Sequence, residues 1–245
     1  MTTVSKFAFR RLLGIVPCAA SSLILSTASA NIIDDTFGVG AGSFELGSYV
    51  DGGGNPNSAG AGYMGLFPGD NTTITGWTVG GPGDGVDWLV APIFRADTGI
   101  HALDLQHLTD SSISTVIPTI AGNVYQLSFA AAAVLVSFTS FFNNVGTVSA
   151  GSLVNQAFVA PFSATLGNQA FVPFSFQFTA TAPTTTIRFT STGPNSAYGP
   201  VIDSVSVVSS VSSVPEPSSV ALLLVGFGVL GAVAQSGRSR SARSR

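Results

Sequence analysis

Polar and apolar side chains alternate with a period of two through most of the middle of this chain. In Phe174-Ser175-Phe176-Gln177-Phe178-Thr179 three phenylalanines point one way and three polar side chains the other. Thr185, Ile187 and Phe189 oppose Thr184, Thr186 and Arg188; Val201, Val205 and Val207 oppose Ser204 and Ser206. A period of two puts alternate residues on opposite faces, so each segment predicts a half-buried strand. Further strands are predicted over Thr72–Val79, Val86–Val90, Ile100–Leu105, Ser112–Ile117, Val124–Ala131 and Leu153–Val159. Ala130–Val136 has a helical composition but continues a strand-like run. About nine short strands of this kind fit an all-β, antiparallel two-sheet sandwich. Glycine-rich segments at 47–62 and 80–85 supply turns; neither precedes a helix, so neither is a phosphate-cradling loop.

Both ends depart from this pattern. Lys6, Arg10 and Arg11 precede a mostly apolar stretch from Leu12 to Leu25, and Ala28-Ser29-Ala30 fits small-x-small cleavage. This predicts a signal peptide cut after Ala30. At the other end, Pro215-Glu216-Pro217 precedes an apolar run from Val220 to Ala234, followed by Arg238, Arg240, Arg243 and Arg245. About 17 residues at about 1.5 Å each just cross a bilayer core, and the arginines behind them would stay cytoplasmic. The expected organisation is a signal peptide (1–30), an ectodomain (31–208), a Ser/Pro linker (209–217), and a transmembrane helix with a basic tail (218–245). No internal repeat stands out.

Trimming both ends changes the chemistry available. Cys18, the only cysteine, lies in the signal segment, so the mature chain has no disulfide, thiolate nucleophile or Cys-ligated metal. Between Asn31 and Ser213, ten aspartates and Glu45 face only Arg95 and Arg188, a net charge of −9. Such a domain repels nucleic acid and anionic lipid.

The order of Pro215-Glu216-Pro217, apolar span and basic tail resembles the PEP-CTERM sorting signal of Gram-negative, exopolysaccharide-making bacteria. That resemblance implies export, membrane arrest and removal of the tail by an exosortase; an ordinary C-terminal anchor is the alternative. A second resemblance lies in the ectodomain. Gly42-Ser43-Phe44-Glu45-Leu46-Gly47, Ile74-Thr75-Gly76-Trp77-Thr78-Val79 and Val86-Asp87-Trp88 are similar to the opening of "choice-of-anchor" surface domains. Gly99-Ile100-His101-Ala102-Leu103-Asp104-Leu105, the segment Ile113–Phe129 and Gly199-Pro200-Val201-Ile202-Asp203-Ser204-Val205 resemble their later blocks, and a related plant cell-wall family shares the order. The resemblance implies a galactose-binding-like jelly roll, a scaffold that frequently binds carbohydrate. Ala41 stands where the family has Asn, and the plant relatives' cysteines are absent.

Catalytic signatures are missing: the chain has no His-Glu-x-x-His, no Gly-x-Ser-x-Gly and no obvious acid/base carboxylate pair. His101 and His107, six apart, would share a face of a continuous strand. Alternation puts Asp203 with Val201, Val205 and Val207 toward the core, where a carboxylate needs a partner. The jelly-roll resemblance implies a structural Ca²⁺ tying first strand to last, with Glu45 and Asp203 as its ligands; backbone amides at a strand end are the alternative. Trp77 reads as a core residue. Trp88 follows the glycine-rich turn beside Asp84 and Asp87, and these three are expected on a ligand-binding face. The reading is an exported, non-catalytic surface or matrix protein that binds polysaccharide. Its processing partner is an exosortase, and it contacts the membrane at least transiently. A matrix protein with no sugar site, or a polysaccharide-modifying enzyme, are the alternatives.

Overall fold

The computed structural model describes residues 30–52, 61–134, 143–163 and 168–210. The expected signal peptide, the Pro215-Glu216-Pro217 motif and the Val220–Ala234 run lie outside them. Among the described residues no helix is long and apolar enough to cross a membrane.

One short helix, α1 (Ile32–Phe37), precedes twelve strands. These are β1 (Tyr63–Leu66), β2 (Thr78–Gly80), β3 (Val86–Val90), β4 (His101–Asp104), β5 (Ser112–Pro118) and β6 (Val124–Val134). They continue with β7 (Val145–Ala150), β8 (Leu153–Val159), β9 (Phe162–Ser163), β10 (Val172–Thr179), β11 (Thr184–Ser191) and β12 (Pro200–Ser209). They form two facing sheets, an antiparallel jelly-roll sandwich. The larger runs β1-β3-β4-β12-β6-β10, with β9 parallel to the end of β6; the smaller runs β2-β5-β11-β7-β8. α1 packs against β12, the last described strand, so the two ends of the described chain meet.

Alternation places the core where expected. On β11 Thr185, Ile187 and Phe189 are buried while Thr184, Thr186 and Arg188 face solvent. Leu103, Leu127 and Val207 of the large sheet meet Ile113, Ile117 and Val148 of the small one. Phe129 is the aromatic hub, with ring centroids 4.9 Å from Phe189, 5.0 Å from Phe158 and 5.4 Å from Phe174. Each large apolar side chain buried this fully stabilises the sandwich by about 1.5–3 kcal/mol.

The structure revises two segments. Thr72–Val79 is a strand only from Thr78 onward. Asp70 takes the N–H groups of Thr72 and Thr73 and the Thr73 hydroxyl on its two oxygens, folding 70–73 into a turn. The second is β12, where alternation breaks. Its pairing with β6 slips between Asp203 and Ser206, and Ser204 sits at φ 53°. A one-residue bulge exchanges the faces. Ile202, Val205 and Val207 therefore join the core between the sheets, whereas Val201 joins a second apolar cluster on the outer face of the large sheet. Asp203 alternates with Ile202 and so also belongs to that outer side, where it is fully buried.

The N-terminal segment plugs the bulge. Asn31 caps α1 by accepting from Ile33 N at 3.2 Å, accepts from Val207 N at 3.0 Å, and donates to Val205 O at 3.1 Å. Val205 N in turn donates to Gly42 O at 2.8 Å. A Cβ on Gly42 would lie 2.1 Å from Val205 O, so only glycine permits this approach. The two tryptophans hold the same turn from the other side. Trp77 Nε1 donates to Ala41 O at 2.9 Å and Trp88 Nε1 to Phe44 O at 3.0 Å.

Candidate functional site

Strands β3 and β4 are buried on both faces, which strict alternation with solvent would not give. Leu89, Ala102 and Val201 form an apolar floor outside the large sheet, roofed by Ile93, Phe94, Ala96, Phe171 and Tyr198. A cavity of about 270 Å³ opens in this layer. Its lining combines the apolar and aromatic groups of Tyr63, Leu89, Phe94 and Tyr198 with the polar groups of Asp87, Asp104 and His107.

The polar wall follows from register. Asp87 of β3 and Asp104 of β4 are direct cross-strand partners, so their side chains emerge on the same face. Asp87 Oδ1 meets His107 Nδ1 at 2.7 Å. Asp104 Oδ1 accepts from Gln106 N at 3.0 Å and from Gly199 N at 2.9 Å, and Oδ2 from Gly199 N at 3.1 Å. Asp84 positions the histidine segment by accepting from the backbone N–H groups of Leu108 and Thr109, while His107 N donates to Gly85 O. The His107 ring lies between Tyr63 and Phe67, at centroid distances of 6.5 and 6.2 Å.

Burial sets the electrostatics. It pushes the Asp87 carboxyl above the usual range, although the His107 hydrogen bond opposes this. It pushes Asp104 well above that range, assisted by the charge of Asp87 and opposed by its amide donors. His107 moves upward, chiefly through its hydrogen bond to Asp87. Asp84 is desolvated too, but its hydrogen bonds to Thr109 and Leu108 outweigh that and leave it lowered.

The residues singled out from sequence are divided by this geometry. Asp87 lines the cavity and Asp84 braces it, but Trp88 is not on a ligand-binding face. It alternates with Asp87 and points between the sheets, 1% exposed. The two histidines also part company, because β4 ends at Asp104. His101 turns inward, its ring centroid 4.8 Å from Trp88 and 4.9 Å from Tyr49, while His107 reaches the outer cavity. Asp104, Tyr63 and Tyr198 were not singled out. A carboxylate interrupting an apolar strand, as in Ala102-Leu103-Asp104-Leu105, was the available signal for the first.

Glu45 and Asp203 both converge on residues 97–101. Glu45 Oε1 accepts from Ile100 N at 2.9 Å and His101 N at 2.7 Å. Asp203 Oδ2 accepts from Asp97 N at 2.8 Å and Thr98 N at 2.9 Å, and Oδ1 from Ser204 N at 2.6 Å. Three of these four oxygens are thus met by N–H hydrogens, which repel a cation. Among the described residues no three His, Cys, Asp or Glu side chains are arranged to hold a metal. The donor set therefore fits an amide clamp and does not fit a shared calcium ion. Burial pushes Asp203 up to about 7, against the pull of its three amides.

A family model described as a protein of unknown function (DUF642) matches residues 44–208, and the PEP-CTERM protein-sorting motif matches residues 213–239. No curated protein matches the chain. Similar solved structures include a CBM35 from Paenibacillus barcinonensis, 19% identical, covering 55% of this chain and 94% of that one, TM-score 0.37. The CBM22-1 xylan-binding domain of Paenibacillus barcinonensis Xyn10C is 14% identical over 60% of this chain and 99% of its own, TM-score 0.40. A family 35 carbohydrate binding module from Clostridium thermocellum is 13% identical over 54% and 90%, TM-score 0.36.

Proposed function

The chain belongs to the DUF642 family and ends in a PEP-CTERM protein-sorting motif, and we propose that it is an exported, non-catalytic surface protein whose β-domain binds a saccharide. The sorting motif implies delivery to an exosortase-type processing enzyme. The domain would then work at the cell surface or in the extracellular matrix.

The saccharide reading rests on the mixed lining of the cavity. Tyr63, Phe94, Tyr198 and Leu89 offer apolar faces, and Asp87, Asp104 and His107 offer hydrogen-bonding groups. A sugar ring has the same division, with apolar faces and a rim of hydroxyl donors. At about 270 Å³ the cavity falls just under the ~300–1,000 Å³ of pockets for drug-sized ligands, so it suits one ring of a longer chain. A domain of net charge −9 disfavours strongly anionic polymers. Asp104 spends its carboxyl on the backbone amides of Gln106 and Gly199, which argues against its serving as one of a glycosidase acid/base pair.

The test is a glycan panel with the full-length chain, alongside an assay for new reducing ends. Binding should fall by about tenfold or more in Tyr198→Ala, the loss of one good aromatic contact. Binding that ignores this substitution rejects the cavity, and binding to no glycan at all leaves a structural matrix role. New reducing ends would make the protein an enzyme.

A further inference from the structure

Carboxyl groups outnumber cationic side chains in the cavity lining. Asp87 and Asp104 bring two carboxylates to one face, and His107 is the only side chain there that can carry positive charge. Among the described residues the chain has two arginines and no lysine. Arg95 reaches exposed Asn168 with its guanidinium, and Arg188 stands exposed on the small sheet. Asp84 adds a third carboxylate behind His107, already held by Leu108 and Thr109. The roofing segment that supplies Ile93, Phe94 and Ala96 also carries Arg95, which does not line the cavity; the remaining polar lining is Tyr63 and Tyr198.

Asp87 is the point of attack. It is 7% exposed, and its Oδ1 is paired to His107. Among the described residues its Oδ2 takes no hydrogen bond, in a residue that lines the cavity. Its partner across the strand pair, Gly65, keeps the approach open. A Cβ there would lie 3.4 Å from His107 Cε1 and 3.6 Å from Asp87 Oδ1.

Resting on the saccharide reading above, we propose that the cavity takes an amine-bearing sugar, a hexosamine unit whose primary ammonium sits against Asp87, beside Asp104. An ammonium offers donors around one point charge, so it can bond the open Oδ2 of Asp87 while its charge offsets that of the neighbouring carboxylate. A metal ion is the competing cation, but it needs several oxygen ligands, and His107 holds Asp87 Oδ1 while amides occupy Asp104. A bare alkylammonium would meet the carboxylates and leave the aromatic wall unfilled; a pyranose ring meets both. An N-acetylated ring keeps the ring and loses the charge. Because burial favours the protonated carboxyls in the free protein, an arriving ammonium expels a proton. Affinity should therefore rise with pH through the acid range, until the sugar amine itself loses its proton.

The experiment is calorimetric titration of the full-length chain with a glucosamine tetramer, its fully N-acetylated counterpart and tetra-lysine. The glucosamine tetramer should bind at least about tenfold tighter than either. Its affinity should rise as pH increases through the acid range, while that of the acetylated tetramer stays flat. Asp87→Asn should collapse the preference for amine over acetyl, with circular dichroism reporting the fold. Equal or tighter binding of the acetylated tetramer, lost in Tyr198→Ala, overturns the amine assignment and leaves the saccharide reading standing. Tetra-lysine binding as well as glucosamine overturns the sugar class. Binding by none of the three in the wild type, where no variant's folding is in question, overturns the amine assignment; if the glycan panel is silent as well, the saccharide reading goes with it.

Discussion

Asp203 carries three backbone N–H groups on two oxygens, and this makes one residue the tie between β12 and the segment after β3. Replacing it with alanine leaves the amides of Asp97, Thr98 and Ser204 without an acceptor, a loss of about 2–4 kcal/mol. Urea denaturation checks this; a change within the fitting error would remove Asp203 from the stability account. The same carboxyl sets a pH dependence. Its folded value, about 7, lies above that of an unfolded aspartate, so the native state holds the extra proton between roughly pH 4 and 7. Stability is then fullest below pH 4 for this group and is lost as pH rises through 7. Asp203→Asn should flatten that slope, and an unchanged slope would assign the titration elsewhere. Because amides hold Glu45 and Asp203, EDTA should leave the wild-type melting curve unmoved. A fall of several degrees that calcium restores would reinstate the ion.

At the scale of elements, β12 is the strand that organises the domain. It sits between β4 and β6 in the large sheet, and its bulge swaps which side chains face the core. β4 pairs with β12 only at Val201 and Ile202, and beyond the bulge Asn31, just ahead of α1, donates to Val205 O and accepts from Val207 N. Asn31→Ala removes those bonds together with the helix cap and should destabilise by about 2–3 kcal/mol. Asn31→Asp keeps the two acceptor roles and loses only the donor, so it should sit between the alanine variant and wild type. If the two variants melt alike, side-chain pairing to β12 is not what Asn31 provides.

For the whole molecule, charge and sorting decide behaviour more than the core does. The ectodomain carries almost no cations, and the basic residues are concentrated at the two ends that processing is expected to remove. Intact-mass spectrometry of the exported protein should find that it begins at Asn31 and lacks the region from about Val220 onward. Retention of Arg245 in most molecules would favour a permanent anchor over exosortase processing.

Period-two alternation in the Phe174–Thr179 and Thr184–Phe189 runs was enough to specify strands, the faces they bury and a two-sheet sandwich, because both segments have one buried and one solvated face. The sorting motif around Pro215-Glu216-Pro217 was equally legible, since sorting reads a linear pattern. Alternation could not see the outer layer over β3 and β4. There a roof from distant loops buries the face that a solitary strand would expose, so Asp87, Asp104 and His107 meet only after β3 pairs with β4 in register. Nor could it see the bulge at Ser204, which depends on Asn31 and Gly42 arriving from the far end of the chain. Local sequence sets which residues share a strand face; what covers that face, and hence what site it builds, is a matter of long-range contacts.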